Sequence, residues 1–242
     1  MKIIIKKLLH FIKRILTVLR NNCLPSARFA PPSSLSAYEL FTKEQMERSF
    51  NTFKPYFLTS VFLDYKIYQK YIIEKAKKND AENNKFYLEF GVWVGTTINN
   101  FSKYVKNIYG FDSFEGLKED WTGQPNHLKG TFNLNKKLPK LNNNVVPIIG
   151  WIQDTLDPFL EKYKPKINFV HMDMDTYETT KFVLTKIKPY LVKNSIIAFD
   201  ELYNYPGWEV GEYKALKETF NEKEYKFIAF CIDGPQAALQ II

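Results

Sequence analysis

The chain has 242 residues, of which 45% are apolar, 16% aromatic and 25% charged. That length holds one α/β domain with a full core and little more, and the composition excludes a fibrous or generally disordered chain. The net charge of +8 suggests nucleic acid only until it is located: Lys2, Lys6, Lys7, Lys13, Arg14 and Arg20 crowd into residues 1–20 without a single acid, so the remainder lacks the dispersed basic face that many phosphates require.

In residues 1–22 the polar positions Lys2, Lys6, His10, Lys13, Thr17 and Arg20 oppose Ile5, Leu8, Leu9, Ile12, Ile15, Leu16 and Leu19. This spacing predicts a basic amphipathic helix. Such a helix suits the interface of an anionic bilayer, as a peripheral anchor on the inner face of the membrane. The same stripe equally suits packing on the body of the protein or on a second copy in a homodimer. Lys6 and Lys7 interrupt the apolar run and no small-x-small site follows, so the segment is not read as an export signal. Nor does any stretch reach the length of a membrane span. The two cysteines, Cys23 and Cys231, have no spacing that suggests a disulfide framework or a zinc site, and a cytoplasmic location is expected.

Residues 23–36, with Pro25, Pro31, Pro32, Ser33 and Ser34, read as a linker. Residues 37–84 read as a helical cap of two or more helices. Thr42 with Gln45 resembles a capping box, and Val61, Tyr65, Tyr68 and Ile72 repeat at helical spacing.

Residues 85–242 change texture. Short apolar runs at 86–90, 108–111, 145–148, 167–171 and 195–199 alternate with amphipathic segments, which predicts an α/β domain with a mainly parallel sheet covered on both faces. The runs 225–232 and 236–242, separated by Asp233-Gly234-Pro235, predict a C-terminal antiparallel hairpin closing that sheet. Between Asn133 and Asn144 lies a polar loop.

The stretch Glu89-Phe90-Gly91-Val92-Trp93-Val94-Gly95 passes from a strand through two glycines into a helix. Gly91 lets a ligand approach the backbone, and the N–H groups of a helix start lie beyond it. It lacks the middle glycine of a dinucleotide fingerprint, and the acid at Glu89 suits a cationic ligand. Asp112, at the end of the next strand, is an acceptor for a vicinal ribose diol. Together these describe a positively charged nucleoside without phosphate, which points to S-adenosylmethionine. On spacing alone, an ordinary β–α turn followed by an Asp capping a helix fits as well.

These segments, with Gly110-Phe111-Asp112-Ser113-Phe114-Glu115-Gly116-Leu117, Gly150-Trp151-Ile152-Gln153-Asp154-Thr155-Leu156, His171-Met172-Asp173-Met174-Asp175-Thr176-Tyr177-Glu178-Thr179-Thr180 and Asp200-Glu201-Leu202-Tyr203 in order, resemble the macrocin and mycinamicin type of sugar O-methyltransferase over about residues 85–242. The resemblance implies a class I S-adenosylmethionine-dependent (Rossmann-like) methyltransferase domain there, a divalent cation such as Mg²⁺, and a sugar hydroxyl as acceptor in a surface glycan or a natural product. Carried over by position, Glu89 and Gly91 line the methionine end of the cofactor, Asp112 and Ser113 the ribose, and Asp154 with Thr155 the adenine. Asp173, Asp200 and Glu201 become the metal ligands, and Asp173 the general base as well. The family commonly has Arg where this chain has Val94 and Asp where it has Glu201.

The chemistry agrees with such a set. Methyl transfer from a sulfonium needs no enzyme nucleophile, whereas a sugar hydroxyl needs activation, and a hard cation on oxygen ligands supplies it. Asp173 and the Asp200-Glu201 pair end neighbouring predicted strands, so they can converge. His171 reads as a half-buried structural residue, and Asp175 as the cap of the helix that follows. Trp121 and Tyr203 are candidates to stack on a sugar ring, with residues 118–131 as a cover. Two other readings remain: a phenolic or catechol-like acceptor, which needs the same metal logic, and a nicotinamide-dependent oxidoreductase, disfavoured by the missing glycine.

Overall fold

The computed structural model of the protein describes residues 35–242; the expected amphipathic helix at 1–22 and nearly all of the linker lie outside the described residues. Contacts divide the chain into Met1–Lys43 and Glu44–Ile242. Helix α1 (Ala37–Phe57) begins earlier than the sequence suggested, because Ser36 rather than Thr42 caps it. Ser36 donates its N–H and hydroxyl to Glu39, each at 2.7 Å, and the Glu39 N–H returns to Ser36 Oγ at 3.2 Å, a reciprocal capping box. Thr42 lies inside the helix and donates to the Tyr38 carbonyl at 2.8 Å.

Residues 61–63, expected in a helix, instead form β1 (Val61–Leu63), which runs parallel to β7 (Tyr225–Cys231) with Val61 opposite Ala229. A branched and an aromatic residue favour this pairing, and the open edge of β7 supplies the backbone partners that an isolated strand lacks. Helix α2 (Tyr65–Lys78) follows at once.

The remaining elements alternate as the apolar runs predict: β2 (Phe86–Phe90), α3 (Thr96–Ser102), β3 (Ile108–Asp112), β4 (Val145–Ile149), α4 (Ile152–Tyr163), β5 (Ile167–Met172), α5 (Tyr177–Ile187), β6 (Leu191–Phe199), α6 (Glu212–Thr219), β7 and β8 (Ala237–Ile241). They build one eight-stranded sheet in the order β1-β7-β8-β6-β5-β2-β3-β4. β8 runs antiparallel to both β6 and β7. The C-terminal hairpin therefore forms but does not close the sheet; β8 is inserted between β6 and β7, and β1 takes the edge. β5 is buried at every position, the polar Asn168 and His171 included.

Two cores cover the faces. Leu88, Phe90, Phe111, Phe159, Met172 and Phe199 belong to one, together with Phe53 of α1. Tyr68, Ile72, Ile98, Phe101 and Phe169 belong to the other. Chain order reverses between β2 and β5, so a crevice opens at their carboxyl ends, where open α/β sheets hold ligands.

Candidate active site

A cavity of about 580 Å³ occupies that crevice. Its floor is the turn after β2, where Gly91 has φ +85° and Trp93 φ +44°. The Gly91 N–H donates to the Phe111 carbonyl at 3.0 Å, and the Asp173 N–H to the Phe90 carbonyl at 2.9 Å. The turn is thus stitched to both neighbouring strand ends.

Asp112 holds the turn from β3. One carboxylate oxygen accepts the N–H groups of Val92 and Trp93, both at 2.8 Å, and the other accepts that of Phe114 at 2.6 Å. No helix follows within the next few residues, so Asp112 is not a helix cap. Asp112, Gly91 and Ser113 all line the cavity.

Other expected cofactor residues stand elsewhere. Glu89 is fully buried below the turn, on the α2/α3 face of the sheet, and does not line the cavity. Asp154 is exposed, and Thr155 turns its hydroxyl onto the Trp151 carbonyl at 3.1 Å. The first turn of α4 rotates both away, and Trp151, Ile152 and Gln153 line the cavity in their place.

At the tips of β5 and β6, Asp173, Asp175, Asp200 and Glu201 line the opposite side. The Asp200 N–H donates to the Met172 carbonyl at 2.9 Å, which brings the two tips side by side. Ligand atoms of Asp173, Asp175 and Glu201 lie within 4.8 Å of one another, as do those of His171, Asp173 and Asp200. Asp173 is common to both sets. Asp175 does not cap α5 as expected: it is buried with φ +64°, and the residue at the cap is Thr176.

Burial, reinforced by the Asp200 charge, holds the carboxyls of Asp173 and Glu201 well above the usual carboxylate range. The same causes, with Asp112, push Asp175 up to about 7. Asp200 is the exception: burial opposes its ionisation, but His171 beside it outweighs that and lowers its pKa. Glu212, fully buried at the start of α6, accepts the Glu201 N–H at 3.1 Å. Packed carboxylates that repel one another in this way are relieved by a cation, and buried oxygens of Asp200 and Glu201 lack a hydrogen-bond partner.

An aromatic wall completes the cavity. Trp93 packs on Phe132 at 5.3 Å, Phe132 on His127 at 5.7 Å, and His127 on Trp121 at 5.2 Å between ring centroids. Trp121 lines the cavity, and its indole N–H has no protein partner. Tyr203 does not line the cavity: its ring packs on Phe53 and Phe230, and its hydroxyl donates to the Cys231 carbonyl at 2.8 Å. Tyr65 of α2 and Thr97 of α3 also line the cavity. No motif announces either one.

Residues 88–202 match the family model described as a methyltransferase domain. No curated protein matches the chain by sequence. Among solved structures the chain is similar to CalS11, a calicheamicin methyltransferase, at 22% identity, covering 90% of this chain and 99% of that one with a TM-score of 0.60. An apo structure of CalS11, described as a TDP-rhamnose 3'-O-methyltransferase, matches at 24% identity over 86% and 96% of the two chains, with a TM-score of 0.53. The O-methyltransferase NovP matches at 18% identity over 73% and 78%, with a TM-score of 0.55. These likenesses show the fold, the Rossmann-like class I methyltransferase fold. Among the described residues no helix is long and apolar enough to cross a membrane.

Proposed function

From a methyltransferase domain at residues 88–202, we propose that this enzyme moves the methyl group of S-adenosylmethionine to a hydroxyl of a sugar, assisted by a divalent cation, Mg²⁺. The observation that carries the reading is the joining, in one cavity, of a glycine turn held by Asp112 to a shelf of carboxylates, of which Asp173, Asp175 and Glu201 bring ligand atoms within 4.8 Å of one another and Asp200 joins Asp173 in a second group. The sugar acceptor is supported by the fold shared with CalS11, whose apo structure is described as that of a TDP-rhamnose 3'-O-methyltransferase, and by an aromatic wall on which the C–H face of a sugar can stack.

The residues fit both groups. Gly91, Asp112 and Ser113 line a cavity of about 580 Å³, and the cluster supplies the oxygen ligands that a hard cation takes. Asp112 and Ser113 would hold the ribose, Trp151 to Gln153 the adenine side, and Asp173, Asp200 and Glu201 the cation. The sulfonium supplies the methyl group, and the cation polarises the acceptor hydroxyl. In the transfer a C–O bond forms as the C–S bond breaks, and the hydroxyl proton passes to a carboxylate. Asp173, which lines the cavity, would take that proton. A second reading gives it to Asp175, because Asp175 faces the cavity with a pKa near 7, where a base works best. The basic segment 1–22 supports attachment to an anionic membrane surface, close to lipid-linked acceptors.

Methylation of a glycan extract with labelled cofactor tests the reading. Activity is expected to vanish in chelator and to return with Mg²⁺, and full activity in chelator would remove the cation. S-adenosylhomocysteine should raise the melting temperature, and NAD should not.

A further inference from the structure

From below the cavity floor to its wall, three titratable side chains carried by three adjacent strands form a line, Glu89 and His171 buried and Asp200 at the cavity. Glu89 on β2 stands directly opposite His171 on β5 in the parallel register, so their side chains leave the same face of the sheet. His171 Nδ1 lies 3.3 Å from Glu89 Oε2, and Nε2 lies 3.6 Å from Asp200 Oδ1 at the tip of β6. The His171 side chain is 3% exposed and that of Glu89 0%. Phe101 meets the ring edge-on at 5.3 Å, and Asp173 brings a carboxylate oxygen within 4.8 Å of a ring nitrogen.

This arrangement is costly unless it is used. Each buried carboxylate loses its hydration, and no hydrogen-bond partner compensates the oxygens of Glu89. The imidazole between them turns one ring nitrogen toward each acid and is the polar group that joins the two. Each ring nitrogen already faces a carboxylate, so neither is left to bind an ion, although His171 lies close enough to Asp173 and Asp200 to belong to a cation cluster. Glu89, two residues before Gly91, sits at the root of the cofactor turn; Asp200 belongs to the carboxylate shelf.

We propose that His171 is a positioning residue that fixes the Asp200 carboxylate for the cation by bridging it to Glu89, so that the cofactor turn and the carboxylate shelf are held as one unit. The inference rests on the cation-dependent reading above. A partner behind a metal ligand sets that ligand's orientation, and its loss typically lowers metal affinity by about 10–100-fold. Glu89 reaches Asp200 through His171, so its loss should reach the cation although Glu89 does not line the cavity.

The test measures Mn²⁺ affinity of the full chain by the electron paramagnetic resonance signal of the free ion, for the wild type, His171→Gln, Glu89→Gln and Phe101→Leu. The expected result is Mn²⁺ binding weakened about 10–100-fold in His171→Gln, weakened by a smaller factor in Glu89→Gln, and unchanged in Phe101→Leu, which disturbs the ring's packing and lowers the melting temperature. A folded His171→Gln that binds Mn²⁺ as tightly as the wild type would overturn the proposal. If His171→Gln does not fold, the isosteric Glu89→Gln decides by the same criterion. A wild-type chain that binds no Mn²⁺ would instead overturn the cation-dependent reading, and this proposal with it.

Discussion

A β carbon built on Gly91 would lie 1.7 Å from the carbonyl oxygen of Asp173. The turn that cradles the cofactor and the strand tip that carries the first acid of the shelf therefore meet at a distance that only glycine allows. Because the clashing atom is backbone, the strain has no side chain to yield. Gly91→Ala also places a side chain at φ +85°, a conformation costing about 1–3 kcal/mol. The expected outcome is a fall in melting temperature of about 2–4 °C for each kcal/mol, with binding of S-adenosylhomocysteine lost in calorimetry.

The carboxylate shelf makes stability depend on pH in a definite direction. Asp175 is raised to about 7, and Asp173, Glu201 and Glu212 are raised as well, chiefly by burial. An acid whose folded pKa exceeds its unfolded value contributes stability that is complete below the unfolded pKa and is lost as pH climbs through the folded one. The metal-free protein should thus melt at progressively lower temperature between about pH 4 and pH 7, the window set by an ordinary Asp and by Asp175. Mg²⁺ should restore the melting temperature at pH 8 and leave it unchanged at pH 5. A melting curve that rises across this window would contradict the shelf's assignment.

Of the stacking candidates the sequence favoured Tyr203, whereas in the structure Trp121 lines the cavity and Tyr203 does not. Trp121→Ala removes a wall of the cavity and should raise the acceptor KM by about tenfold, the equivalent of about 1.4 kcal/mol of stacking. Tyr203→Phe removes only a hydroxyl that donates to the Cys231 carbonyl. It should cost about 1 kcal/mol of stability with kcat and KM unchanged. Steady-state kinetics beside thermal melts distinguish the two.

Gly123 and Gly207 bring two loops into backbone contact. A β carbon on Gly207 would meet Gly123 Cα at 2.8 Å and the Thr122 carbonyl at 2.9 Å. The segment that carries Trp121 and His127 is thereby pinned to the loop between β6 and α6. Gly207→Ala should release it, seen as faster limited proteolysis within residues 118–131, with affinity for S-adenosylhomocysteine changed by less than about twofold because local opening leaves the Gly91 turn intact. Unaltered cleavage would show that the contact does not restrain the segment.

Much of this molecule was legible in its residues. The apolar runs of β2 to β5 marked their strands within a residue, since buried parallel strands read as mostly apolar, whereas β6 begins four residues before its run because Lys193 and Asn194 interrupt the pattern. Gly91, Asp112, Asp173 and Asp200 stood out because each ends a strand, and the ends of parallel strands gather at one edge. Local sequence, however, does not fix where a strand docks or which way a turn rotates. Val61 to Leu63 became a strand only because β7 offered an open edge, and the first turn of α4 exchanged Asp154 and Thr155 for Trp151 and Gln153. Asp175 passed for a helix cap until its left-handed backbone carried it into the cavity. Above all, the Glu89–His171–Asp200 line spans positions far apart in the chain. Strand register alone makes them neighbours, and burial alone turns their proximity into a strong electrostatic contact.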